Sequence, residues 1–220
     1  MESTEPPIAG EVGTSNNSGS DFRKVLLVGT GALSVAFLPF WLNWLEDHVP
    51  DGEMRVVLTR SARRFVSADA LATMSRQHVV TDEWSSVSAP DAPHITLARW
   101  PDVILVHPAT AHFFSRFALG VVDTPVLLAL QATRALVGIA PAFPPGAERS
   151  PALRAHLDVL AARPRVVVAP TVPARSATTG ETSDGGVVPL PELMALVEER
   201  HRALTAVAGP ASTVPQENRI

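Results

Sequence analysis

Three short segments of the chain combine small residues with hydroxyl side chains, which suits them to hold a phosphate group. Their sequences are Gly29-Thr30-Gly31-Ala32-Leu33-Ser34, Thr59-Arg60-Ser61 and Pro108-Ala109-Thr110-Ala111-His112. The start of a helix offers free backbone N–H groups and the positive end of the helix dipole to an anion. Small side chains also let a flat ring approach the backbone closely. The residue types therefore predict a site for a flat, phosphorylated ligand.

A nicotinamide dinucleotide is disfavoured as that ligand, because the G-x-G-x-x-G fingerprint is incomplete. Ser34 stands where the third glycine would fall. Thr59 stands where an acidic residue would follow the second strand and bind the ribose. The glycines therefore indicate a phosphate turn without indicating NAD.

The elements that must position these segments alternate along the chain. Short runs of branched apolar residues predict buried parallel strands; they lie at 25–28, 54–58, 103–106, 135–140 and 165–169. The segments between them predict helices; these lie at 34–47, 68–77, 109–119, 151–162 and 191–206. The alternation predicts an α/β protein with a Rossmann-like (flavodoxin-like) doubly wound parallel sheet. We expect a single domain over residues 21–206, with disordered tails at 1–20 and 207–220.

Composition narrows the possible partners. Hydrophobic residues make up 46% of the chain and charged residues 18%, so we expect part of the surface to be buried in a homo-oligomer. The formal net charge of −4 argues against nucleic acid and anionic membranes. The chain has no cysteine and no histidine spacing typical of a metal site, so no metal is expected.

One uncharged stretch, residues 25–45, is long enough to cross a bilayer. Glycines at 29 and 31, Pro39 and Asn43 interrupt it, so we interpret it as a strand, a turn and a buried helix. The polar first twenty residues lack the apolar region of a signal peptide. A cytoplasmic location without membrane contact is therefore expected.

Four motifs together resemble one family, the homo-oligomeric flavin-containing cysteine decarboxylases. The motifs are Lys24 to Ser34, Thr59-x-Ser61-x-x-x-Phe65-Val66, His94-Ile95-x-Leu97-x-x-Trp100-x-Asp102 and Pro108-Ala109-Thr110-Ala111. The family includes phosphopantothenoylcysteine decarboxylase and the enzymes that decarboxylate the C-terminal cysteine of lanthipeptide precursors. The resemblance covers roughly residues 23–193, and the motif that contains His94 is its most specific element.

The resemblance implies a flavin cofactor, FMN or alternatively FAD, and His94 as the catalytic base. The residues that it implies for cofactor binding are Gly29, Thr30, Gly31, Ala32, Ser34, Thr59, Ser61, Phe65, Ala109, Thr110, Ala111 and Asp123. It also implies trimers that build into a dodecamer, with the flavin near the trimer interface. The implied reaction is oxidation of the cysteine followed by loss of carbon dioxide.

The chain departs from the family's pattern where that pattern binds substrate. His112 replaces an asparagine, and Pro141-Ala142-Phe143-Pro144 replaces most of a Pro-x-Met-Asn motif. We expect His112, Phe143 and Pro144 to bind substrate in their place. The family's late loop, here about residues 176–188, carries a cysteine in the coenzyme A enzymes, and this chain has none. That difference favours oxidative decarboxylation of a precursor peptide, for aminovinyl-cysteine formation in lanthipeptide biosynthesis.

Three other functions stay open from the sequence. One is a phosphopantothenoylcysteine decarboxylase-like enzyme. Another is a prenyl-flavin synthase, which would need more basic residues beside the flavin than the strand-end loops supply. The third is a flavin-binding regulatory subunit without catalysis, which the altered Pro-x-Met-Asn motif would suit.

Overall fold

Runs of branched aliphatic residues form strands that are buried on both faces. The computed structural model describes residues 20–84 and 92–208. Its main sheet contains six strands, all parallel to their neighbours. The strands are β1 (Lys24–Gly29), β2 (Glu53–Leu58), β3 (Val80–Thr81), β4 (Val103–Thr110), β5 (Leu136–Ala142) and β6 (Val166–Val168).

The sheet has the order β3-β2-β1-β4-β5-β6. This is the Rossmann order, and without the two-residue strand β3 it becomes the flavodoxin order. The predicted doubly wound α/β fold is confirmed. The chain leaves β1 toward β2 on one side, and β4 lies on the other side of β1. The carboxyl ends of β1 and β4 therefore flank the point where such sheets bind ligands.

Seven α-helices cover the two faces of the sheet in the described part of the chain. They are α1 (Leu38–His48), α2 (Ala68–Ser75), α3 (Pro93–Arg99), α4 (Ala111–Ala118), α5 (Pro125–Ala132), α6 (Pro151–Ala161) and α7 (Leu190–Ala208). Alternate side chains of β1 point to opposite faces, as the pleat of a strand requires. Val25 and Leu27 pack under α1, α2 and α7, whereas Leu26 and Val28 pack under α3 to α6.

Several predicted boundaries differ from the structure. The helix predicted at 34–47 begins as a 3-10 turn at Leu33–Phe37 and becomes α-helical only at Leu38. Pro39 lies in the first α-helical turn, where its missing N–H costs no hydrogen bond. Helix α7 continues through Ala208, so the described chain extends two residues into the tail predicted at 207–220. The rest of both predicted tails, 1–19 and 209–220, lies outside the described residues.

Strand β3, helices α3 and α5 and a late hairpin were not among the predicted elements. Strand β3 has only two residues and α3 only seven. Helix α5 is short and almost wholly apolar, so it lacks the amphipathic period that marks a surface helix, although Thr124 caps it and Pro125 begins it. The late loop forms an antiparallel hairpin of β7 (Val172–Arg175) and β8 (Thr182–Gly186). Its strands are short and mostly exposed, so they lack the apolar run of a buried strand. Within the described ranges, no helix has both the length and the apolar character that a bilayer span needs.

Candidate functional site

Thr30 joins the loop that follows β1 to the carboxyl end of β4. Its hydroxyl donates a 2.7 Å hydrogen bond to the carbonyl oxygen of Pro108 and accepts a 2.9 Å bond from the backbone N–H of Thr110. Its backbone N–H also points to the Pro108 carbonyl, at 3.3 Å. The side chain is 1% exposed. The hydroxyl proton of Thr30 is thus already used inside the protein, and its role is to hold these two segments together.

Two glycines of the first loop allow close approaches. A Cβ atom on Gly31 would lie 2.4 Å from Cβ of Ser61, so only glycine lets the loops after β1 and β2 touch. A Cβ atom on Gly29 would lie 2.7 Å from Cδ1 of Leu38 and 2.8 Å from Cγ2 of Val35. Gly29 therefore serves the packing of α1 and its preceding turn on the sheet.

A cavity of about 380 Å³ lies at this edge of the sheet. Its walls come from the loops after β1 to β4 and from α4 and the start of α5, namely Thr30, Gly31, Thr59, Arg60, Ser61, Asp82, Glu83, Thr110, His112, Phe113, Arg116 and Thr124. Six of these residues were predicted as site residues: Thr30, Gly31, Thr59, Ser61, Thr110 and His112. The convergence of three hydroxyl-bearing loops is as the sequence predicted.

Three hydroxyls of the cavity can still donate a proton to a ligand. Thr59 Oγ1 accepts a 3.3 Å bond from the N–H of Ala62, and Thr110 Oγ1 accepts a 3.4 Å bond from the N–H of Phe113 as the cap of α4. Accepting such a bond leaves the hydroxyl proton available. The Ser61 hydroxyl makes no hydrogen bond with the described residues. These groups form the donor set of an anion site.

Two ion pairs flank the cavity, and neither was predicted from the sequence. The guanidinium of Arg60 lies 2.6 Å from Oε1 of Glu83 and holds the pKa of that carboxyl below its usual range. Arg116 is paired with the carboxylate of Asp123. The sequence does not show these pairs, because Arg60 and Glu83 follow different strands, and because Arg116 reaches Asp123 only through the turn that ends α4.

Asp82 is a buried acid in the wall of the cavity, 5% exposed, and it was also missed. Its Oδ1 accepts a 2.9 Å bond from the backbone N–H of Val126 in the first turn of α5. Burial raises the pKa of this carboxyl, and the hydrogen bonds from Val126 and Thr124 only partly offset that effect. The available signal was an acid directly after the β-branched run Val79-Val80-Thr81.

His94 lies beside the cavity rather than in its wall. It begins α3, and its ring meets the ring of Trp84 edge to face, with centroids 5.6 Å apart. The indole N–H of Trp84 donates a 2.8 Å bond to the carbonyl oxygen of Asp123. The structure thus brings the predicted residues His94 and Asp123 together around Trp84. The Nδ1 atom of His94 is buried without a hydrogen-bond partner among the described residues.

Large apolar side chains are exposed next to His94 and in the loop that Trp84 joins to it. Trp84 is 47% exposed, as is Ile95, which follows His94 in the chain. Val122 directly precedes Asp123, the partner of Trp84, and is 42% exposed. Val121 and Leu119 are exposed in the same loop. We call this group, together with His94, the His94 face. Grouped apolar exposure is typical of a surface that binds another molecule.

The remaining predicted residues lie outside the cavity wall. Ala32 and Ser34 are half-buried in the first loop, Ala111 is half-buried at the start of α4, and Phe65 is 41% exposed. Ala109 is fully buried in the core and is not open to a ligand in the single chain.

The two residues predicted to bind substrate on β5 and its loop differ in placement. The ring of Phe143 packs edge to face against Phe114, with centroids 5.4 Å apart, so it faces inward. Its backbone N–H donates a 2.8 Å bond to the carbonyl oxygen of Gly185 in the hairpin. Pro144 is exposed. Among the described residues, no group of three or more His, Asp or Glu side chains is placed to bind a metal ion.

Residues 14–202 match the flavoprotein family, so this chain belongs to that family. Among curated relatives it is similar to the cypemycin cysteine dehydrogenase (decarboxylating) of a Streptomyces species, with 32% identity over 157 residues, which are 71% of this chain and 81% of that protein. It is also 36% identical over 138 residues to the bifunctional coenzyme A biosynthesis protein CoaBC of Bacillus subtilis. That match covers 63% of this chain but only 34% of CoaBC.

Comparison with solved structures finds the same kind of protein as comparison of sequences. The crystal structure of the cypemycin decarboxylase CypD superposes with a TM-score of 0.68 at 27% identity and covers 86% of this chain and 98% of that one. The FMN-dependent cysteine decarboxylase TvaF from thioviridamide biosynthesis gives a TM-score of 0.65 at 28% identity, with 82% and 98% covered. The resemblance to flavin-dependent cysteine decarboxylases, drawn above from sequence motifs, is confirmed.

The cavity fits the phosphate end of a flavin nucleotide. Free hydroxyl donors at Thr59, Ser61 and Thr110 converge there, and two arginines stand at its rim. The missing side chain of Gly31 lets Ser61 lie directly beside the first loop. Family membership and this donor set together support a flavin as the cofactor.

Proposed function

We propose that this protein is an FMN-dependent decarboxylase that acts oxidatively on the C-terminal cysteine of a ribosomal precursor peptide. The observation that carries the proposal is the pairing of the hydroxyl-lined cavity with His94 on the adjacent face. The relatives whose names specify cysteine decarboxylation support the reaction type. FMN is favoured over FAD because the solved relative TvaF is named as FMN-dependent.

In the proposed site, Thr59, Ser61 and Thr110 donate hydrogen bonds to the cofactor phosphate. The turn at 29–34, Phe65, Ala111 and Asp123 would contact the rest of the cofactor, and the buried Ala109 would support the chain beneath it. The bound flavin supplies a two-electron acceptor for oxidation of the cysteine. His94 takes up the proton that leaves the substrate, a task that suits an imidazole near neutral pH.

Carbon dioxide then leaves the oxidised cysteine, because the new carbon–sulfur double bond accepts the electron pair of the broken carbon–carbon bond. The product is a peptidyl aminoenethiol, which can go on to form aminovinyl-cysteine in lanthipeptide biosynthesis. The chain has no cysteine to return electrons to this product. An external oxidant must therefore reoxidise the cofactor after each turnover.

We also propose that the His94 face packs against a neighbouring subunit in a trimer, and that trimers build into a dodecamer. The wall of the cavity does not include His94, whereas the exposed apolar residues around His94 suit a subunit interface. In such an assembly, cofactor-binding residues and His94 from adjacent subunits would share one site. His112 and Pro144 would then contact the peptide.

The proposal is tested by incubating the purified protein with peptides that end in cysteine and weighing the product. We expect a product lighter by one carbon dioxide and two hydrogen atoms, and mass spectrometry of the ligand released on denaturation should give FMN. A product that has lost carbon dioxide alone would instead favour a phosphopantothenoylcysteine decarboxylase-like enzyme, the alternative that the CoaBC match keeps open. A preparation that binds neither FMN nor FAD would refute both.

A further inference from the structure

His107 is a buried histidine that no step of the proposed reaction uses. It lies on β4 directly before Pro108 and is 1% exposed. Its Nε2 atom is 2.7 Å from the carbonyl oxygen of Val188. A carbonyl oxygen can only accept a hydrogen bond, so Nε2 carries the proton and donates it. Burial lowers the pKa of the ring and so favours its neutral form, and the bond to Val188 sets the tautomer.

The acceptor of this bond is the root of the β7–β8 hairpin. Val188 lies two residues after the end of β8 and two before the start of α7, and it is itself buried. Most hairpin side chains are exposed, so the hairpin has little apolar packing of its own. Among the described residues, the bond from the N–H of Phe143 to the carbonyl of Gly185 also joins it to the segment after β5. The position of the hairpin therefore depends on few contacts.

The other side of His107 leads to the carboxyl end of β4, Pro108 to Thr110, which borders the cavity. The next residue, Pro108, offers its carbonyl oxygen to the hydroxyl of Thr30, and that hydroxyl also receives the N–H of Thr110 in the cavity wall. The hairpin flanks a cleft of about 590 Å³ whose opposite side is the loop after β5, from Pro145 to Arg149. One imidazole thus connects a wall of the cofactor cavity to the root of the element that borders this cleft.

We propose that His107 is a positioning residue. It fixes the β7–β8 hairpin relative to the carboxyl end of β4 and so shapes the place where the peptide binds. The anchoring of the hairpin is inferred only from the observed contacts of His107 and Val188. Only its consequence for peptide binding rests on the proposed function. The two parts can therefore fail separately.

The anchoring is tested with a pair of variants that match in size, His107→Gln and His107→Met. The glutamine amide can donate to the Val188 carbonyl from about the position of Nε2, whereas methionine fills the same space without a donor. We expect the amides of residues 172–186 to exchange with deuterium roughly fivefold to tenfold faster in His107→Met, the effect of one lost hydrogen bond on local opening. Exchange in β1, and hairpin exchange in His107→Gln, should stay near wild type.

Equal hairpin exchange in both folded variants would overturn the anchoring role. If His107→Met does not fold, His107→Asn replaces it, since its amide is one methylene shorter than that of glutamine and cannot reach Val188. The same comparison then decides the question.

The consequence for the peptide is tested by steady-state kinetics with a cysteine-ended peptide and by FMN titration. We expect KM to rise about tenfold in His107→Met with kcat within a factor of two, and FMN affinity to be unchanged. Rescue of KM in His107→Gln would show that the donated hydrogen bond matters rather than the ring. A fall in kcat with KM unchanged would contradict the positioning role. Absence of decarboxylation in wild type would refute the proposed function but leave the exchange result standing.

Discussion

At the scale of single residues, the hydroxyl side chains around the cavity divide into two kinds. The Thr30 hydroxyl donates a hydrogen bond to the Pro108 carbonyl and accepts one from the N–H of Thr110, both at the end of β4. Ser61 makes no such bond within the described part of the chain, although it faces the same cavity. Sequence similarity would treat the two hydroxyls alike, whereas their hydrogen bonds assign stability to one and ligand binding to the other.

Thr30→Val and Ser61→Ala test this division. Thr30→Val keeps the side-chain shape but leaves the Pro108 carbonyl and the Thr110 N–H without that partner, so we expect the free energy of unfolding to fall by about 1–3 kcal/mol. Ser61→Ala should leave stability within about 0.5 kcal/mol and weaken FMN binding. Urea unfolding and flavin titration measure the two effects. A destabilised Ser61→Ala with unchanged flavin affinity would refute the assignment.

The proposed role of His94 predicts that binding and chemistry separate. His94→Asn should retain FMN, because the residue is absent from the cavity wall. It should lower the decarboxylation rate by about two to four orders of magnitude, the usual contribution of a general base. Flavin absorbance and peptide mass spectrometry follow the two properties. Trp84→Phe serves as a control, since it keeps an aromatic ring beside His94. Loss of flavin from His94→Asn would contradict the proposed role of His94.

At the scale of elements, Asp82 ties the edge of the sheet to helix α5. Its backbone N–H donates to the carbonyl oxygen of Leu58, and its carboxylate accepts the N–H of Val126. Asp82 thus satisfies the free N–H of the second residue of α5, Val126. Thr124 caps the N–H of the third residue, Leu127. An apolar eight-residue helix is thereby fixed beside the cavity.

The raised pKa of Asp82 predicts how stability depends on pH. The folded protein holds the proton more tightly than the unfolded chain, whose reference value is 3.8. The native state therefore loses stability relative to the unfolded state as pH rises from about that value through the folded pKa. Asp82→Asn keeps an acceptor for Val126 and should remove this loss, so its stability should depend less on pH. Asp82→Ala should instead lose about 1–3 kcal/mol at neutral pH.

The measurement is the free energy of unfolding in urea, for wild type and both variants, between pH 4 and pH 7. If Asp82→Asn showed the same slope of stability against pH as wild type, the carboxylate would not be the cause. If Asp82→Ala were as stable as Asp82→Asn, the hydrogen bond to Val126 would not contribute to the free energy of unfolding.

At the scale of the whole molecule, a low fraction of charged residues and the exposed His94 face both indicate assembly. Light scattering should give a mass several times the 23.4 kDa of one chain. Val122→Asp places a charge in the His94 face and should shift the mass toward the monomer. Val159→Asp is the matched control, because Val159 on α6 is similarly exposed, at 49% against 42%, and lies outside that face. Equal masses for both variants would refute the interface.

The sequence by itself predicted five of the six strands of the sheet and the edge where we propose that the ligand binds. Branched apolar runs separated by helical segments specify parallel strands, and the carboxyl ends of neighbouring parallel strands must meet. The residues 29–31, 59–61 and 110–112 could therefore be placed together without any coordinates. The two-residue strand β3, the short helices α3 and α5 and the exposed hairpin escaped, because none of them shows a clear hydrophobic period.

Only the tertiary structure decided what each side chain does at that edge. Thr30 bonds to residues about 80 positions away, His107 to Val188, and Asp82 to Val126. Such bonds depend on how loops from different strands approach one another, within a few tenths of an ångström. Local sequence periods carry no information at that distance. Residue types thus predicted the class of ligand, and packing decided which hydroxyl is free to bind it.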